Sequence, residues 1–182
     1  MTLVEEMITA GRGVVALVIG RRDASQYFDL TTRGLVGSFI ALIVATTVNT
    51  YLPFVQGAET EGGSAWQVLL FAVNIYVLQI GFAAIVLNQF KRLDGLMPYL
   101  VADNWATFFI TLLTIVLTFA GVGSDVTILM LGVLVLVVEI NIARLIVTLT
   151  PMQIAAFLIA QLVAGFVGLI ILGAIFPMPA GI

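Results

Sequence analysis

The chain has 182 residues, 62% hydrophobic and 9% charged, with a mean hydropathy of +1.20 and a formal net charge of −3. Soluble domains run at about 45–50% apolar and about 25% charged, so too few polar groups remain to cover a water-facing surface, and no dense basic patch exists to hold nucleic acid. The absence of Cys and His excludes disulfides, thiolate chemistry, haem with a His or Cys ligand and the usual zinc sites, and no cofactor or metal centre is expected.

The opening MTLVEEMITAGRG is acidic rather than basic, and no small-residue cleavage site follows the short apolar stretch GVVALVIG. It reads as retained sequence, not a signal peptide. Leu3, Met7, Ala10, Val14 and Val18 recur at helical spacing, while Glu5, Glu6 and Arg12 sit off that stripe. This pattern predicts an amphipathic helix lying in the membrane interface.

Five apolar runs follow, over roughly 34–55, 66–90, 105–121, 126–148 and 151–176. Each is long enough to cross about 30 Å of hydrocarbon at about 1.5 Å per residue. The third is the shortest and should stand nearly upright. GAETEGGSA, KRLDGLMPYLVADN and GVGSD separate the first four runs. Thr150-Pro151 reads as an N-cap followed by proline at the first helical position. The expected architecture is an all-α, single membrane domain: a polytopic bundle of five transmembrane helices over 33–182, preceded by an amphipathic interfacial segment over 1–32.

Under this segmentation Arg12, Arg21, Arg22, Arg33, Lys91, Arg92 and Arg144 share one side of the membrane. The opposite loops carry Glu59, Glu61 and Asp125 and no basic residue. The positive-inside rule then predicts a cytoplasmic N-terminus and an outside C-terminus, PMPAGI, in a bacterial inner membrane. Arg12, Arg21, Arg22 and Arg33 are candidates for contact with anionic lipid headgroups, each worth about 1 kcal/mol near the surface.

Within the spans, small residues four apart mark helix-packing seams: Gly37, Ala41, Ala45 and Asn49 in the first, Ala156, Ala160, Ala164 and Gly168 in the fifth. Asn74, Gly81 and Asn88 form a stripe on the second. Thr107, Thr111, Thr114 and Thr118 share a face of the third, either bonded to the preceding turn or lining a polar groove.

Glu139 lies near the middle of the fourth run, where a charge costs at least about 2.5–3.5 kcal/mol. Arg144, five positions on, lies about 140° around the helix and is a poor partner; it can snorkel to the headgroups. Asn141 faces another way. Candidate partners at similar depth are Asn74, Gln79 and Gln161, so a neutral glutamic acid bonding Gln79 or Gln161 is the expected arrangement. The alternative makes Glu139 a proton or cation site in a transport path. No aspartate falls in an expected span to complete a carboxylate pair, and no nucleophile–base set or phosphate loop appears, so no enzymatic activity is expected.

An interfacial N-terminal segment and an Asp-Leu pair (Asp29-Leu30, within YFDLTTRGLVGSF) ahead of five spans resemble the YIP (Ypt-interacting) family of five-span membrane proteins. The resemblance implies a compact five-helix bundle with a cytoplasmic N-terminus and a part in membrane organisation. The expected function is thus a non-enzymatic scaffold or accessory subunit, touching membrane lipids and a protein partner or a second copy of itself. The alternative is a small oligomeric transporter or channel using Glu139. A dry core favours the scaffold; a water-filled cavity reaching Glu139 favours transport.

Overall fold

The computed structural model of the chain describes residues 2–55 and 65–175, and every regular element among them is helical. In order these are α1 (Leu3–Val18), α2 (Thr32–Val55), α3 (Ala65–Gln89), α4 (Leu96–Phe119), α5 (Ser124–Asn141) and α6 (Pro151–Ile175). Short 3-10 turns occupy Ala24–Tyr27 and Leu93–Gly95, and a π-helical turn, Ile142–Ile146, continues α5. The five helices after α1 are long and apolar enough to cross a membrane. Their outer faces carry large exposed apolar residues such as Ile43, Val77, Leu129 and Phe166, as an integral membrane protein requires. Glu59, Glu61 and the tail PMPAGI lie outside the described residues.

Local chemistry sets the helix ends. Thr2 and Glu5 form a reciprocal capping box at the start of α1. Its far end is closed by Gly20 at φ +71, with the Arg21 N–H donating to the Ala16 carbonyl at 2.9 Å. At α6, the Thr150 N–H donates to Gln153 Oε1 at 2.9 Å and Pro151 opens the helix, in line with the Thr150-Pro151 signal.

The largest departure from the sequence reading is α4. The connection expected over KRLDGLMPYLVADN shrinks to a left-handed Lys91 (φ +55), Arg92 and one 3-10 turn, and the helix begins at Leu96. Pro98 falls in the first turn, where its missing N–H breaks no intrahelical bond. The third helix therefore has 24 residues and takes in Tyr99, Asp103 and Asn104, and it is not the shortest span: Thr32–Leu52, with 21 residues, is. Asp103 and Asn104 lower the local hydropathy enough to imitate a loop.

The bundle is built from two closely packed pairs, α2 on α4 and α3 on α6. Gly37, Ala41 and Ala45 are buried as expected, Gly37 against Glu6 of α1, but Asn49 is exposed. In the second pair, Ala164 and Gly168 are buried, with Gly168 against Ile75 and Leu78; Ala156 is exposed. The stripe on α3 is not a seam, because Gly81 faces open space and Asn88 is exposed.

α1 packs along α4 and α5, and its buried face overlaps the predicted stripe at Ala10, Val14 and the partly buried Met7 but is turned from it at both ends. Glu6, Ala10, Gly13, Val14 and Leu17 are buried, whereas Leu3 and Val18 are exposed. Val4, Ile8, Val15 and Ile19 form a second, exposed apolar face on the opposite side. α1 is thus apolar on two sides, one meeting the bundle and one left for lipid. At this end Asn141 Nδ2 donates to the Leu17 carbonyl at 2.8 Å, and Arg92 donates to the carbonyls of Val147 and Thr148. The Leu17 carbonyl already accepts from the Gly20 N–H, so Asn141 adds a second bond there, while Arg92 supplies donors to the carbonyls that follow the π-turn.

A carboxyl pair in the wall of an intrabundle cavity

α4 has two unlike faces. Tyr99, Asp103 and Thr107, each four apart, fall on one side. Residues 132, 135, 136 and 139 form the matching stripe on α5. Where the stripes meet, the carboxyls of Asp103 and Glu139 lie within hydrogen-bonding reach of each other. Asp103 is seven residues from the start of α4, and Glu139 seven from the end of the π-turn. Both therefore sit about 10 Å in from the α1 end of the bundle, not at its middle.

The pair opens on a cavity of about 1040 Å³ to which all five long helices contribute. Tyr76, Gln79, Thr107 and Gln161 add polar groups; Phe39, Phe71 and Tyr99 add aromatic surface. No Lys or Arg lines it. Glu139 Oε2 and Gln161 Oε1 are buried and accept no hydrogen bond. Two ionised carboxylates so close repel strongly away from bulk water. With no basic side chain in the cavity wall, the pair keeps a proton between its oxygens or holds a cation from outside. Among the described residues no group of three or more metal-ligating side chains occurs.

The partners expected for Glu139 are engaged elsewhere or lie apart. Gln161 Nε2 donates to the Gln79 carbonyl at 3.3 Å and Asn74 Nδ2 to the Gly168 carbonyl at 3.5 Å, both tying α3 to α6. Asn141 caps α1, Asn49 is exposed, and Arg144 is exposed at the bundle end beside Gly20. The threonine stripe divides: Thr114 and Thr118 bond carbonyls one turn back, while Thr107 lines the cavity. The sequence reading missed Asp103, because an aspartate assigned to a loop cannot be offered as an intramembrane partner.

The other side of α4 is closely packed. Tyr76 Oη donates to Asn104 Oδ1 at 2.7 Å, Asn104 Nδ2 to Ser38 Oγ at 3.1 Å, and Ser38 Oγ to the Leu35 carbonyl at 2.8 Å. This chain joins α3, α4 and α2. Trp105 is 1% exposed, and its indole faces the buried carboxyl of Glu6. Burial raises the Glu6 carboxyl above the ordinary range and Asp29 adds to this, while Trp105 and Arg33 oppose it.

Arg12, Arg22 and Arg33 are exposed at the α1 end. Arg21 is exposed too but paired with Asp23, its Nε donating at 2.9 Å, which holds the aspartate below its usual range. Known proteins offer no guide: no family model, curated protein or solved structure matches this chain.

Proposed function

We propose that the chain is a small membrane transport protein in which Asp103 and Glu139 take up and release a proton or another cation. One observation carries this reading: two facing carboxyls without a basic partner open on a cavity of about 1040 Å³ within the bundle. An intramembrane ionisable group is costly to keep, and a scaffold built on helix seams has no use for two of them beside a void. The scaffold role expected from the sequence yields to this reading.

The reading is non-enzymatic, with the pair as an ion carrier instead of a general acid–base dyad. We place α1 on the cytoplasmic side of a bacterial inner membrane, with Arg12, Arg22 and Arg33 against anionic headgroups. The test is reconstitution into liposomes enclosing a pH-sensitive dye, with an imposed cation or proton gradient. Transport predicts a pH change across the membrane that disappears in Glu139→Gln and Asp103→Asn while the purified variants stay folded. A wild-type protein that passes neither protons nor cations under any gradient contradicts it.

A further inference from the structure

The carboxyl pair occupies little of its cavity. A bare ion with its water needs a small fraction of about 1040 Å³, since each water takes about 30 Å³, and the space matches that of a drug-sized ligand. Its walls are largely aliphatic and aromatic, with the polar groups concentrated around the carboxyls. The rim has a further property. Ile43, Val73, Val135, Leu136 and Leu162 line the cavity and are also large exposed apolar residues, Leu162 at 74%. The cavity thus communicates with the surface that the long helices turn toward hydrocarbon.

We infer that this cavity binds an amphipathic organic cation, with its apolar body against the aromatic and aliphatic walls and its charge at Asp103 and Glu139. The inference rests on the transport reading above and names its substrate class. Charge complementarity selects the occupant. The wall carries acidic and no basic side chains, so an anion is repelled and a neutral body leaves the pair uncompensated. The aromatic rings of Phe39, Phe71, Tyr76 and Tyr99 in the wall are the kind of surface that attracts a desolvated cation. The groups with ionisable protons that face the pair are Tyr76 on α3 and Tyr99 on α4; the lining residues of α2 and α6 contribute none. Proton and cation therefore compete for the same two carboxyls, and a bound cation releases the proton they share.

The experiment measures binding of tetraphenylphosphonium to the purified full chain in detergent, by equilibrium dialysis between pH 5 and 8, with tetraphenylborate as a control of matched size and opposite charge. The expected result is saturable binding of the phosphonium alone. Its affinity should rise by up to about tenfold per pH unit where the pair holds its proton, with about one proton released per cation, as linkage requires. Glu139→Gln and Asp103→Asn should each weaken it about tenfold or more. Leu162→Trp, which narrows the rim without touching a carboxyl, should weaken it too. Equal binding of both probes, or binding indifferent to pH and to the carboxyl variants, overturns the inference as nonspecific partitioning. Absent phosphonium binding alongside intact proton movement in liposomes overturns the substrate class and leaves the transport reading standing. If single cysteines at Leu162 cross-link two chains and no probe binds, the rim is an interface between copies and the inference fails.

Discussion

The two sides of α4 meet very different environments. On one, Trp105, Asn104 and Ala106 are buried against α1 and α2, with a hydrogen-bond chain running from Tyr76 through Asn104 to Ser38. On the other, Tyr99, Asp103 and Thr107 face a cavity. Each side also holds a carboxyl belonging to a neighbouring helix. Glu6 lies beside the Trp105 indole and near Arg33, although its Oε1 and the Trp105 Nε1 are both buried without a hydrogen bond, whereas Glu139 meets a second acid and a cavity. A single carboxyl near a cation in a closely packed seam can serve as packing; a carboxyl beside another carboxyl in a roomy cavity is kept for what binds there. Function is assigned to the open side by this contrast.

The largest expected effect separates the two sides by activity. Glu139→Gln or Asp103→Asn should lower coupled transport by about tenfold or more, as removal of an intramembrane ion carrier would, with unchanged thermal stability. Liposome flux and a melting curve on the same preparations check this. A variant that loses both together places the pair in the packed framework.

Next comes the packed side. Trp105→Ala removes a fully buried indole and should destabilise the bundle by about 3–5 kcal/mol, read as a large drop in melting temperature in detergent. At Gly37 an added Cβ would stand 2.6 Å from Glu6 Oε1. The clash is with the end of a flexible side chain, so Gly37→Ala should cost only about 1 kcal/mol, the low end for overpacking, read as a small drop in melting temperature. A drop as large as that of Trp105→Ala would mean that Glu6 cannot move aside.

Smaller effects sharpen the contrast. The raised carboxyl of Glu6 binds its proton more tightly when α1 is docked than when it is free. Docking stability is therefore unaffected well below the free carboxylate value of about 4.3 and falls as pH rises through and above it. Glu6→Gln should remove that loss, giving slower proteolysis of α1 at neutral pH and little change at pH 4. Thr118→Val, which deletes only a hydroxyl bonded one turn back, should fall within about 0.5 kcal/mol of wild type.

The bundle itself is legible in the sequence. Long apolar runs bounded by GVGSD and Thr150-Pro151 give nearly the observed bounds of α5 with its π-turn and of α6, and the small residues at 37, 41 and 45 mark a buried face. The site is only half legible. Glu139 stands out because nothing else near it is charged, but its partner is hidden in YLVADNW. There Asp103 and Asn104 resemble a loop to any hydropathy window, although each finds a neighbour only when α4 lies between α2, α3 and α5. The face of α1 is only partly read, at Ala10 and Val14, for a related reason: Val4, Ile8, Val15 and Ile19 form an apolar side as continuous as the one that packs. Periodicity cannot tell a side facing protein from a side facing lipid, and the cavity, formed from five helices, has no local signature at all.

The most direct test of the central claim uses the chain's lack of cysteine. Single cysteines would be placed at Glu139 on the cavity side, at Ser38 on the packed side and at exposed Ser124 as a control, then treated with a small hydrophilic maleimide in membranes open on both sides. The account predicts rapid labelling at 124, measurable labelling at 139 and none at 38. A folded protein in which 139 is as silent as 38 would mean that both sides of α4 are closed to water, and would contradict the assignment of a transport site to Asp103 and Glu139.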